Sequence, residues 1–157
     1  MGDIYDSATY EPRKGIGHLM HRVRTEILAA VDRELQADED LGAMEVTSAQ
    51  FIILATLSMG IAKSASDLCK GISYDAGAMT RMIDRLEEKG LLRRSRDPGD
   101  RRLVNLELTE KGREALPRMR DVAMGVLNRF LHGFTKAEAR QLEGFLARML
   151  ENAPRGP

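Results

Sequence analysis

The chain holds a single cysteine, Cys69, among 157 residues. It can form no intramolecular disulfide, which suits a reducing, cytoplasmic compartment. No apolar run approaches the ~18 residues of a membrane span, so no membrane partner is expected. The opening MGDIYDSATYEPRKG is polar and acidic, so a secretory signal is not expected either. Enzyme signatures are missing: there is no G-x-S-x-G, no Walker loop, no H-E-x-x-H and no nucleophile with an evident base. Catalysis and a cofactor are therefore not expected. His18 and His21 sit at i, i+3, yet no Cys/His cluster completes a tetrahedral metal site around them. There is no internal repeat and no low-complexity tract. Disorder is expected only in the first ~12 residues and in the tail from Ala153 to Pro157.

Net charge is also lacking, with 24 basic residues against 24 acidic ones. Neutrality of the total does not exclude a nucleic-acid partner, because distribution matters more than the sum. Residues 1–46 carry 5 Lys/Arg and 10 Asp/Glu, whereas residues 63–102 carry 10 against 7. The excess is sharpest from Lys89 to Arg102, with 6 basic residues and 2 acidic ones.

What is present is chiefly helical periodicity. From about Gly15 to Ala37, Ile16, Leu19, Met20, Val23, Ile27, Val31 and Leu35 recur at spacings of three and four. ADEDLGAME breaks that pattern. Thr47 and Gln50 make a capping box for SAQFIILATLS, which is apolar nearly all round and should be the buried centre. Ser64 and Asp67 open a short helix, SASDLCKG. After a GIS turn, a fourth helix runs from about Tyr74 to Lys89 and stops at Gly90. Leu91 to Arg96 and Leu103 to Leu108 read as strands, joined by the turn-forming Asp-Pro-Gly-Asp at Asp97 to Asp100. A long helix from Thr109 to about His132 contains Pro117, which removes one helical hydrogen bond and should bend it. Thr135 and Glu138 then box a last helix carrying Leu142, Phe145, Leu146, Met149 and Leu150. The nine methionines suit an adaptable core, and Cys69 beside Leu68 reads as a small buried hydrophobe.

The expected order is α-α-α-α-β-β-α-α, mainly α with a small β-hairpin wing. The expected architecture is a winged helix-turn-helix with a helical dimerisation region. Residues 1–157 form one chain unit: a module at 47–108, and dimerisation segments at 12–46 and 109–153. Long amphipathic helices far apart in sequence cannot all bury their stripes within one small chain, which points to an isologous homodimer. Taken alone, SASDLCKGI followed by SYDAGAMTRMIDRLEEKG could be an ordinary helical hairpin. The basic hairpin that follows favours DNA. The second helix would enter the major groove by Ser73, Tyr74, Asp75, Ala76, Gly77, Ala78, Thr80 and Arg81. Arg94, Arg96, Arg101 and Arg102 would meet phosphates or the minor groove, with Asp100 orienting an arginine fork. The alternative is a protein–protein module whose hairpin docks on an acidic partner.

The segment MTRMIDRLEEKGLLRR followed by DPGDRRLVNLELTEKG resembles the signature of the MarR-type winged-helix regulators. The family pattern D-x-x-D-R-R … L-T-x-x-G falls on Asp97, Asp100, Arg101, Arg102, Leu108, Thr109 and Gly112. The flanking helix order fits over nearly the whole chain. The resemblance implies a homodimeric repressor on a palindromic double-stranded operator, released by a small phenolic or aromatic-acid effector. His18, His21 and Arg22 are candidates to receive such an anion. Some relatives sense redox through a cysteine near the start of the first helix; this chain has none there.

Overall fold

A computed structural model describes residues 3–71, 75–96 and 104–153. Seven helices and one hairpin are found among them: α1 Ile16–Ala37, α2 Glu39–Ala43, α3 Ser48–Ser58, α4 Ala65–Gly71, α5 Ala76–Glu88, β1 Leu92–Arg96, β2 Val104–Leu108, α6 Glu110–Phe130 and α7 Lys136–Glu151. α3 lies at the centre. Ile53 and Leu54 are fully buried, and the helix packs against α1, α6 and β2. Thr47 and Gln50 cap it reciprocally as its sequence demands, and the Asp32 carboxylate of α1 accepts the Ser48 N–H at 2.6 Å. Leu35, Leu68, Met79, Ile83, Leu86, Leu92 and Met119 complete one continuous core. Cys69 is half-buried against it.

The strands pair antiparallel, with Leu92 opposite Leu108 and Arg96 opposite Val104. The hairpin is hooked to the body before α4, where the Leu106 N–H donates to the Lys63 carbonyl at 2.8 Å.

Two segments depart from expectation. The break ADEDLGAME contains the five-residue helix α2, so five helices precede the hairpin rather than four. Asp38 caps it by accepting the Leu41 N–H, Leu41 is buried, and Arg118 of α6 reaches back to both Asp38 and Asp40. The opening residues, expected to be disordered, form two exposed turns, closed by the Asp6 carbonyl and by the Glu11 carbonyl. Gly15 offers α1 no side-chain cap, and the Tyr5 hydroxyl accepts the Ile16 N–H at 3.1 Å instead. Tyr5 and Tyr10 meet edge to face at 5.0 Å, and the Tyr10 ring lies over Gly15, where a side chain would have to push it aside. Of the tail, residues 154–157 lie outside the described residues.

One glycine joins the module to the long helices. A Cβ on Gly112 would overlap the Leu91 carbonyl oxygen and lie 3.0 Å from its carbon. Both groups are backbone and neither can swing aside. Gly112→Ala should therefore lower stability by ~2–3 kcal/mol, as overpacking against fixed atoms does. Urea denaturation measures this; an unchanged midpoint would show that the joint has slack.

Candidate nucleic-acid interface

The helix-turn-helix is built by two acidic caps. Asp67 of α4 accepts from the Ser64 hydroxyl at 2.9 Å and from the Lys63 and Ser64 N–H groups, while the Ser64 hydroxyl accepts the Asp67 N–H. Asp75 caps α5, accepting the Ala78 N–H at 2.8 Å. α5 thus begins at Ala76, two residues later than its periodicity suggests, and the Asp75 carboxylate is already engaged by its own helix.

α5 has two faces. Met79, Ile83 and Leu86 are buried. Ala76, Gly77, Thr80 and Arg81 are exposed, with Ala78 between the two faces. The Thr80 hydroxyl donates to the Ala76 carbonyl at 2.8 Å, leaving its lone pairs outward. Small residues in the first turn and a cation one turn on let the helix approach a groove closely. Arg85 is also exposed, four residues beyond Arg81, and sequence reasoning misses it. Its spacing from Arg81 is the signal that could find it.

Of the wing residues, Arg96 is exposed near the end of β1. Arg93 pairs with Glu107 directly across the ladder at 2.8 Å. The Arg94 guanidinium is engaged by Asp84 and Glu87 of α5. Ser73, Tyr74, Asp97, Asp100, Arg101 and Arg102, named from the sequence, lie outside the described residues.

The three candidate ligand residues lie within one turn of α1. His21 borders an apolar groove of about 720 Å³ between α1 and α7, with Ile16, Val23, Leu142 and Leu146. His18 is half-buried, and Arg22 is exposed, 4.0 Å from Glu26 on its own helix. Among the described residues no His/Cys/Asp/Glu group could hold a metal, and no helix is long and apolar enough to cross a membrane.

Two consecutive short helices, the second with one buried and one open face, followed by a hairpin returning to the body, define a winged helix-turn-helix. The MarR family model matches residues 46–104, which cover that module up to the start of β2. The multiple antibiotic resistance protein MarR of Escherichia coli is 37% identical over 97 residues, 62% of this chain and 63% of that protein. The solved structure of a cysteine-to-serine variant of MarR with operator DNA superimposes with a TM-score of 0.74 at 27% identity, covering 95% of this chain and 99% of that one. The transcriptional repressor NicR of Pseudomonas putida is 31% identical over 130 residues, 78% of each protein. BpsR of Bordetella bronchiseptica, whose DNA binding is regulated by 6-hydroxynicotinic acid, gives a TM-score of 0.75 at 29% identity, over 92% of this chain and 99% of BpsR. The chain belongs to the MarR family. Its relatives are transcriptional regulators rather than enzymes.

The caps make the module acid-sensitive. Hydrogen bonds from Ala78 hold Asp75 below the usual carboxylate range, and the Ser64 hydroxyl does the same for Asp67. The Leu41 N–H lowers Asp38, and the Ser95 hydroxyl lowers Glu107. A carboxyl depressed in the folded state stabilises fully above its unfolded pKa, ~4, and loses that contribution as pH falls through the lower folded value. Thermal midpoints followed by circular dichroism should stay level from about pH 7 to 5 and drop below about pH 4. A midpoint that rises on acidification would contradict the assignment of these caps.

Proposed function

We propose that the chain is a homodimeric, sequence-specific repressor that holds an inverted-repeat operator and is released by a small aromatic acid. The exposed first half of α5 beside a basic hairpin carries the reading. In it, Ser73 to Ala78, Thr80 and Arg81 face the major groove, while Arg96, Asp100, Arg101 and Arg102 serve the wing. Operator binding by E. coli MarR and the repressor relative NicR support it.

The dimer follows from surface left uncovered. Ile16, Val23, Phe130, Leu142 and Phe145 are each at least 40% exposed, on helices at opposite ends of the sequence. A single protomer that leaves such stripes in water is completed by a copy of itself. Residues 12–46 and 109–153 form the dimerisation region, and 47–108 the DNA-binding module.

The deciding experiment titrates the full chain against an inverted repeat from the DNA flanking its gene and against a scrambled duplex. A preference of ~10³ or more is expected, with a steep salt slope. Arg101→Ala and Arg102→Ala should each reduce the slope by about one unit for every phosphate interaction removed. Leu146→Glu should yield monomers by ultracentrifugation and abolish the preference. Equal binding to both duplexes would hand the hairpin to a protein partner instead.

Control by an aromatic acid rests on the 6-hydroxynicotinic acid response of BpsR and on His18, His21 and Arg22 along α1. A ~100-fold release requires ~2.7 kcal/mol of coupling between the two sites. A panel of aromatic carboxylates, 6-hydroxynicotinic acid included, should contain a member that weakens operator binding at least tenfold. His21→Ala or Arg22→Ala should blunt that response. A panel without effect, or variants responding like the wild type, would place control elsewhere.

A further inference from the structure

We propose that Arg94 is a positioning residue: it fixes the angle between the wing and the recognition helix, and its guanidinium does not contact DNA. This rests on the reading of α5 and the hairpin as the DNA-binding surface.

The geometry is a three-point tie. Arg94 Nη2 donates to Asp84 Oδ1 at 2.5 Å, Nη1 donates to Glu87 Oε2, and the Arg94 backbone N–H donates to Glu87 Oε1 at 3.2 Å. Asp84 and Glu87 stand at i, i+3 on α5, one turn beyond Arg81. Among the described residues Arg94 is the only cation within 4.0 Å of either carboxylate. Its side chain is 34% exposed, against 67% for its neighbour Arg93, which ties the hairpin only to itself through Glu107. One arginine closes the hairpin, and the next fastens the hairpin to the helix.

The chemistry requires arginine. Two carboxylates three residues apart are each met by one terminal nitrogen of a planar fork, whereas a lysine presents a single compact charge. The tie also answers an electrostatic problem. Two acidic side chains beside a DNA-binding face would repel phosphate, and Arg94 offsets half of their charge at the protein surface. A guanidinium whose two terminal nitrogens are already paired with carboxylates has less to offer a phosphate, which leaves that role to residues nearer the tip.

The sign of one measurement separates the roles. Removing an acidic charge beside DNA normally strengthens binding. If Asp84 and Glu87 act through Arg94, then Asp84→Asn and Glu87→Gln should each weaken operator binding, by ~3-fold for partly exposed pairs. Arg94→Ala should weaken it about tenfold with the salt slope unchanged, because every phosphate keeps its cation. Arg94→Lys should recover only part of that affinity. Stronger binding by Asp84→Asn or Glu87→Gln, or a slope reduced by about one in Arg94→Ala, would overturn the proposal. Amide hydrogen exchange without DNA supplies an independent arm. In all four variants the amides of residues 92–96 and 104–106 should exchange faster, while those of α1 keep the wild-type rate. Unchanged exchange in the hairpin would overturn the proposal. If the wild type showed no operator preference, the DNA reading would fail, and the exchange arm would still decide whether Arg94 holds wing and helix together.

Discussion

A side chain at residue 112 would occupy the same space as the Leu91 carbonyl, and much of the architecture hangs on that close approach. Four pieces of chain meet there: the end of α5, the start of β1, the end of β2 and the first turn of α6. The Thr109 hydroxyl donates to the Gly90 carbonyl at 2.6 Å and accepts the Gly112 N–H at 3.1 Å. Lys111 donates to the Lys89 carbonyl at 2.9 Å, and Arg113 to the Leu108 carbonyl at 2.7 Å. Gly90, at φ +68°, makes the reversal possible. The L-T-x-x-G part of the sequence signature is thus a joint, with each polar group spent on backbone. It ties the end of α5 and the start of the hairpin directly to the first turn of α6.

The charges, neutral in sum, are organised by place. Carboxylates accept N–H groups at helix starts at Asp38, Asp67, Asp75 and Glu138, where free N–H groups favour negative charge. Arginines join elements distant in sequence: Arg118 spans from α6 to α2, and Arg129 reaches Glu34 of α1 at 2.7 Å. Exposed pairs of this kind add little stability singly, but they fix how helices are set against one another.

The elements with repeated periodic signals are legible in the sequence. α1, α3, α6 and α7 announce themselves through apolar stripes and reciprocal caps, and Val104, Leu106 and Leu108 through alternation. α2 is not legible, because five residues cannot display a 3.6-residue period. Its support comes from Arg118, about eighty residues away. The N-terminal turns are hidden by a polar composition that says nothing of an edge-to-face tyrosine pair. Periodicity places the start of α5 too early because Asp75 reads equally well as a helical residue or as a cap. In the basic run from Lys89 to Arg102, sequence alone does not distinguish an arginine facing outward from one facing α5. That distinction depends on the turn at Gly90, which lays Arg94 back alongside Asp84 and Glu87.

α7 has order without burial. None of its sixteen residues is buried, and its reciprocal cap at Thr135 and Glu138 is among its few local supports. A helix of that length is marginal in water on its own. Its share of the folding free energy must then come from whatever surface it meets, which couples the order of this helix to association. For such a chain the melting temperature is a function of concentration and not a constant. Dilution acts on it as a denaturant, and the quantity of protein present becomes one of the terms that decides whether its last helix is ordered at all.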